Sequence, residues 1–375
     1  MAETDQSASV RRVVVKVGSA VVAPGGRMHP ETLERIVDEI AELVNSGIQV
    51  VLVSSGAVSA GFRSLGLDCM PLNTRQKQAA AAIGQPTLIR TYAEKLAHHS
   101  ITAAQVLLTA DDFGRRERFL NARDTLETLL EAGITPIINE NDSVVFDEIK
   151  LGDNDRLSAL AASCIHADLL VLLSVAPGLV DMDTGTIIPR VTSIAEARSY
   201  VDETASSGVG TGGMGSKLEA IGIVMEHGIP AVLTAGPTAE VSDPIARVLR
   251  GEAVGTRFDV NTDTLTARKS WIAHAAAGDG AITVDDGAAT AVLERGASLL
   301  PGGILRVDGH FDSGSAVEIR DLNGLCIARG LASYNSAEID QIKGSKSGEI
   351  ERLLGYMNAS VVVHRDDLQL IGGDQ

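Results

Sequence analysis

Cysteine is scarce in this chain, and Cys69, Cys164 and Cys326 are its only three. They are spaced neither as a metal-ligand set nor as a disulfide framework, which favours a reducing compartment, the cytoplasm. Long apolar runs are also absent, and none approaches the ~20 residues of a membrane-spanning helix. Residues 1–9 are polar, lack the apolar segment of a secretory signal, and read as a short loose tail. Positive charge is in deficit, with 32 Lys and Arg against 49 Asp and Glu and a net charge of −17. That balance argues against non-specific binding to nucleic acid or to an anionic membrane. It leaves anionic substrates open, because they respond to a local field. No internal repeat and no low-complexity segment is present.

At 375 residues the chain is long enough for two domains and a large core. Its first two-thirds alternates apolar strand candidates with amphipathic helical patterns. The strand candidates are residues 13–17, 50–53, 104–108, 134–138, 169–173 and 231–233. Pro30 opens a helix that carries Leu33, Ile36, Val37, Ile40, Leu43 and Val44 on one face and stops at Gly47. Near-continuous apolar strands joined by helical crossovers predict an α/β three-layer sandwich around a mostly parallel sheet. The pattern changes near residue 260, through a transition around Trp271 to the turn Gly278-Asp279-Gly280. Beyond it, short strands at 281–284, 304–307, 316–319, 326–329 and 361–364 alternate with glycine-rich turns. Helical pieces fall at 288–295, 336–342 and 348–354. This predicts a small β-rich second domain. The expected boundaries are 1–265 and 275–375.

Five glycines fall within Gly208-Val209-Gly210-Thr211-Gly212-Gly213-Met214-Gly215-Ser216-Lys217, which ends on a lysine. Clustered glycine suits a backbone that brings several N–H groups to an anion. Lys217 and a helix-like stretch at 218–227 add positive charge and a helix N-terminus, both favourable to phosphate. The bland alternative is a flexible surface loop. Two familiar fingerprints fail here. Gly208, Gly210 and Gly213 satisfy G-x-G-x-x-G, but a polar run rather than a buried strand precedes them. The Walker spacing is broken by Ser216, which separates Gly215 from Lys217.

Other polar groups sit at strand ends, where ligands bind in open parallel sheets. Lys16, Gly18 and Ser19 end the first strand, and Ser54-Ser55-Gly56-Ala57 ends the second. Asn139-Glu140-Asn141-Asp142 follows residues 134–138 and, taken alone, reads as ordinary turn chemistry. Gly152-Asp153-Asn154-Asp155 comes shortly after. Lys16 is different, since a lysine inside a buried strand needs an anionic partner. Two lysines, a glycine loop and a nest of carboxylates and amides suit phosphoryl transfer. A carboxylate acceptor needs no general base, since a group that ordinarily titrates at about pH 4.3 is already ionised at neutral pH. That fits the absence of a well-placed histidine: His98, His99 and His166 read as structural or solvated. Asp153 and Asp155 either hold Mg²⁺ or orient the lysines.

In order and spacing these strings resemble the glutamate 5-kinase family of the amino-acid kinase superfamily. The matching residues are Val14-Val15-Lys16-Val17-Gly18-Ser19, Ser54-Ser55-Gly56-Ala57 and Arg118-Phe119-Leu120-Asn121-Ala122-Arg123-Asp124-Thr125. They continue with Ile138-Asn139-Glu140-Asn141-Asp142, Gly152-Asp153-Asn154-Asp155 and the loop Gly210 to Lys217. Gly296-Ala297-Ser298-Leu299-Leu300-Pro301 and Val363-His364-Arg365-Asp366-Asp367 resemble a PUA domain.

The resemblance implies an ATP- and Mg²⁺-dependent kinase acting on the γ-carboxylate of L-glutamate, the first step of proline synthesis. It implies that Lys16 stabilises the phosphoryl group in flight and Lys217 the ADP leaving group, and that Asp155, with Asp153, orients the two lysines. Ser55, Asp142 and Asn154 match glutamate-binding positions. Thr211, Gly212, Gly213, Met214, Gly215, Ser216 and Lys217 match the ATP-phosphate loop, and Ser174 and Val175 border the nucleotide. Feedback inhibition by proline, a homo-oligomer and a glutamyl phosphate reductase partner are also implied.

The chain departs from the family at Ser174-Val175-Ala176-Pro177-Gly178-Leu179-Val180. Val175 replaces an acidic residue and Val180 a tyrosine. This implies altered ATP affinity, while both lysines and Gly152-Asp153-Asn154-Asp155 predict retained activity. A rival reading is a silent sensor that binds glutamate or proline without turnover. From residue 280 onward there are 8 basic against 14 acidic residues, which disfavours RNA and favours a regulatory or assembly role.

Overall fold

The computed structural model describes residues 10–71, 73–114, 116–144, 153–182, 184–201, 213–238, 241–260, 280–357 and 359–371. The tail 1–9, Gly152, Gly208, Gly210, Thr211, Gly212 and the transition around Trp271 lie outside the described residues, as does the Asp153 side chain. Contacts divide the chain into two units, Met1–Asn261 and Thr262–Gln375.

In the first unit, strand β1 (Arg12–Val17) owes its extended form to a run of β-branched valines. Helix α1 (Pro30–Asn45) has Pro30 at its first position, where a missing N–H costs nothing. His29 caps it, Nδ1 accepting the Thr32 N–H at 3.3 Å. Strand β2 (Gln49–Ser54), helix α2 (Thr74–His98), strand β3 (Ala103–Leu108), helix α3 (Arg116–Glu131), strand β4 (Thr135–Glu140), helix α4 (Asp153–Cys164) and strand β5 (Leu169–Ser174) follow. The unit continues with β6 (Arg190–Val191), helix α5 (Met214–Glu226), β7 (Ala231–Ala235), helix α6 (Pro244–Leu249) and β8 (Thr256–Phe258).

The eight strands form one sheet in the order β3-β4-β2-β1-β5-β7-β8-β6, parallel except between β7 and β8. The six strands expected from apolar runs are present. β6 and β8 are additional, too short to stand out as apolar runs. From β1 the chain builds outward on one side through β2, then returns to lay β5 on β1's other flank. The topological switch point therefore lies between β1 and β5, where open α/β sheets bind ligands.

Both sheet faces are covered. One face packs Val13, Val15, Val17, Val50 and Leu52 under α1 and α2 through Leu33, Ile36, Ile40, Leu88 and Tyr92. The other packs Val14, Val51, Val53 and Leu172 under α3, α4 and α5 through Leu126, Leu157, Ile221 and Val224. Fully burying each Val, Leu or Ile contributes about 1.5–3 kcal/mol. The period-2 alternation then decides where the polar strand ends point. Lys16 shares the parity of Val14 and turns to the α4 and α5 face. Ser54 shares the parity of Val50 and Leu52, and turns to α2.

Two local differences from the sequence reading matter. β4 runs on through Asn139 and Glu140, both buried, so these belong to the sheet rather than to a turn. Helix α5 begins at Met214 rather than 218. Met214, Lys217, Leu218 and Ile221 recur at helical spacing on its inner face, which carries the helix back over the end of the glycine string.

The second unit holds strands β9 (Gly280–Val284), β10 (Ile304–Gly309), β11 (Ala316–Arg320), β12 (Cys326–Ala332) and β13 (Val363–Leu370). Their order is β10-β9-β11-β12-β13, antiparallel except between β9 and β11. Ile282, Val317, Ile319, Tyr334 and Ile339 anchor its own core. The last strand starts two residues later and runs further than expected, pairing with β12 as far as Leu370.

Candidate active site

Lys16 leaves the carboxyl end of central strand β1, whose neighbours are β2 and β5. Its ammonium forms an ion pair with Oδ1 of Asp155, in the first turn of α4. The other carboxylate oxygen, Oδ2, lies 3.5 Å from Nζ of Lys217, in the first turn of α5. Ser216 Oγ donates to the same Oδ2 at 2.9 Å, with the Gly213 carbonyl an alternative acceptor at 3.0 Å. One carboxylate on α4 thus gathers a lysine from β1 and a lysine and a hydroxyl from α5. Asp155 is only 1 % exposed, and Lys16 and Lys217 are 5 % and 8 % exposed.

Burial alone would raise the Asp155 carboxyl, but the Lys16 and Lys217 ammoniums more than offset it and hold it below the ordinary range. Burial lowers the Lys217 ammonium, and the like charge of Lys16 adds to this against the pull of Asp155. The three side chains carry one more positive than negative charge. A buried excess of that sign is costly alone and favours an arriving anion.

The surroundings suit phosphate. Gly213 is the N-cap of α5 and supplies no side-chain cap to the helix's first N–H groups. Among the described residues, a Cβ added at Gly213 or Gly215 would meet nothing within 4 Å. A Cβ at Gly18 would come within 3.8 Å of Lys16 Nζ and 3.3 Å of the Leu173 carbonyl. Glycine therefore eases the close pass of this turn against the Leu173 carbonyl, which accepts the Gly18 N–H at 3.0 Å. Among the described residues no cluster of three or more His, Cys, Asp or Glu could hold a metal. Both Asp155 oxygens face lysines, so orienting the lysines is the role its geometry fits.

A second group lies beside the first. Asn154, next to Asp155 on α4, donates from Nδ2 to Asn139 Oδ1 at 3.1 Å. The Glu140 N–H donates to Asn139 Oδ1 at 2.9 Å and to Asn154 Oδ1 at 3.2 Å. Ser55 follows β2, and its N–H reaches the Val17 carbonyl at 3.3 Å. Ser54 Oγ bonds the buried Tyr92 hydroxyl of α2 at 2.9 Å. Ser174 ends β5 across the switch point, its carbonyl accepting the Gly236 N–H at 2.9 Å. Val175 beside it is 70 % exposed. Asp142 lines a cavity with Glu140 and Asn141.

The structure therefore joins Lys16, Asp155, Ser216 and Lys217 directly, and sets Asn154 beside them. Ser55, Ser174, Val175 and Asp142 stand at neighbouring strand ends. Sequence reasoning missed the Ser216–Asp155 bond and the buried role of Asn139. The available signal for Asn139 was its parity with buried Ile137.

Residues 11–235 match the amino acid kinase family, more than half of the chain. The chain belongs to the amino acid kinase family. Residues 280–354 match the PUA domain. The glutamate 5-kinase of Trichlorobacter lovleyi is 47% identical over 368 residues, covering 96% of this chain and 97% of that protein. Those of Moorella thermoacetica and Thermobifida fusca are 45% and 44% identical, covering 96% and 97% of this chain and 97% and 94% of theirs. No helix among the described residues is long and apolar enough to cross a membrane.

Proposed function

We propose that this family member transfers a phosphoryl group from ATP to the γ-carboxylate of L-glutamate, giving L-glutamyl 5-phosphate. The observation that carries the reading is the buried Asp155 carboxylate holding Lys16 and Lys217 together at the switch point. Relatives named glutamate 5-kinase, similar over nearly the whole chain, supply the acceptor. The transferred group spreads charge over its oxygens, so fixed cations rather than a base lower the barrier. Lys16 stabilises the group in flight, and Lys217 the ADP side.

Asp155, with Asp153, orients the lysines. Ser55, Asp142 and Asn154 bind glutamate. Thr211, Gly212, Gly213, Met214, Gly215 and Ser216 bind the ATP phosphates, with Ser174 and Val175 at the nucleotide's edge. Mg²⁺ enters with those phosphates, the ordinary way this cation is held. The kinase domain is placed at 1–265 and a PUA-like domain at 275–375, the latter acting in regulation or assembly rather than on RNA. Proline feedback, a homo-oligomer, cytoplasmic residence and a reductase that consumes the labile acyl phosphate complete the reading.

One assay tests it: ADP release with ATP and Mg²⁺ in the presence of L-glutamate, acetylglutamate or no acceptor. The expected result is release with L-glutamate alone. Equal release with all three, or none with any, defeats the reading. Lys217→Ala is expected to abolish turnover while calorimetry still detects glutamate binding.

A further inference from the structure

Asn139 has two amide ends, and the backbone decides which is which. The Glu140 N–H can only donate, so the atom facing it is Oδ1. The opposite end, Nδ2, must then find an acceptor. It donates to Oε1 of Gln85, on α2, at 2.6 Å. Asn139 Oδ1 in turn accepts from Asn154 Nδ2. A chain of amides therefore runs from α2, through the end of β4, to the first turn of α4 beside Asp155. Asn139 is 2 % exposed, so an unmade bond there is costly. Gln85 also lines a cavity of about 420 Å³ together with Glu140, Asn141 and Asp142.

We propose that Gln85 is a positioning residue for the acceptor side of the site. Its Oε1 fixes the Asn139 amide, and Asn139 fixes the direction of the Asn154 amide. The inference rests on the reading that Asn154 binds L-glutamate. Without the Gln85 acceptor, Asn139 Nδ2 is left buried and unpaired. The amide then keeps only its Oδ1 bonds, to the Glu140 N–H and Asn154 Nδ2, and Asn154 is held less firmly in its orientation. Lys16, Asp155 and Lys217 are held by other bonds, so the phosphoryl machinery is untouched.

The test uses the full chain and two variants, Gln85→Met and Gln85→Glu. The first removes the acceptor at similar size, and the second keeps an acceptor oxygen. Glutamate affinity is measured by calorimetry and as the KM in ADP release. Thermal unfolding is followed in parallel. Gln85→Met is expected to raise the glutamate KM and Kd about tenfold, with kcat and the ATP KM little changed and the unfolding temperature lowered by a few degrees for the unpaired amide. Gln85→Glu is expected to weaken glutamate less than Gln85→Met does. Unchanged glutamate affinity in Gln85→Met overturns the proposal. So does a uniform fall of every parameter together with unfolding, or a larger loss in Gln85→Glu. A wild-type chain that neither binds L-glutamate nor releases ADP with it overturns the proposed function, and this inference with it.

Discussion

Asp155→Asn keeps the shape of the side chain and removes its charge. Two ammoniums share this one carboxylate. At an effective dielectric near 20, like charges about 5–8 Å apart repel by about 2–3 kcal/mol. Removing one member of a buried ion pair typically costs about 3–5 kcal/mol, because the remaining charge stays buried without its partner. With both Lys16 and Lys217 buried against Asp155, the variant is expected to lose an amount in that range. Asp155→Asn combined with Lys217→Met removes the repulsion, and is expected to recover about half of the loss while remaining inactive. Urea unfolding followed by circular dichroism reads both. The Asp155 carboxyl is held low in the folded state, so its stabilisation is present above the unfolded carboxylate range and fades as pH falls through the folded value. The single variant should therefore also show a flatter acid limb. A double variant no more stable than Asp155→Asn would refute the shared-carboxylate reasoning.

Lys217 loses its charge below the ordinary lysine range, so rising pH removes the site's surplus positive charge early. The ATP KM should climb on the alkaline side, and Lys217→Arg should remove that climb; a wild-type KM flat to about pH 10 contradicts this. Glu39 is buried on α1, accepts the Ile245 and Ala246 N–H groups at 2.7 and 3.0 Å, and is pushed by burial from 4.5 to about 7. A raised carboxyl gives stability that is full below pH 4.5 and lost as pH rises through about 7. Relative to Glu39→Gln, the wild-type protein should therefore weaken by up to about 3 kcal/mol across that window, read as urea midpoints at each pH. An added Cβ on Gly84 of α2 would collide with the Ala57 carbonyl of the short helix Ala57–Gly61, which follows Ser55. Gly84→Ala is expected to cost about 3 kcal/mol and to weaken glutamate binding, and a fully stable variant would contradict that close approach.

Much of the first unit was readable from apolar runs, because strands buried on both faces must be apolar throughout. Lys16 stood out for the same reason, as a charge where the pattern allowed none. β6 and β8 were invisible, since strands of two and three residues leave too little pattern to detect. The helix start at Met214 was masked by glycine, whose poor helix propensity was outweighed by the buried stripe from Lys217 to Ile221. Lys217 and Asp155 were each identifiable, but their meeting depended on packing α4 beside α5, which no local string encodes. Asn139 misled because asparagine ordinarily marks a turn; its parity in β4 and the distant Gln85 hold it in the sheet instead.

The alternation along the strands also has a use for engineering. Side chains of one parity meet α4 and α5, where the lysines and their carboxylate reside. Those of the other parity meet α2, which grips Ser54 through Tyr92 and Asn139 through Gln85. On the proposed function, the sheet would work as a bulkhead between a phosphate-handling compartment and an acceptor-handling one, with Asn154 as the door between them. Exchanging acceptor preference calls for grafting the α2 side with the ends of β2 and β4. The opposite compartment can be left in place.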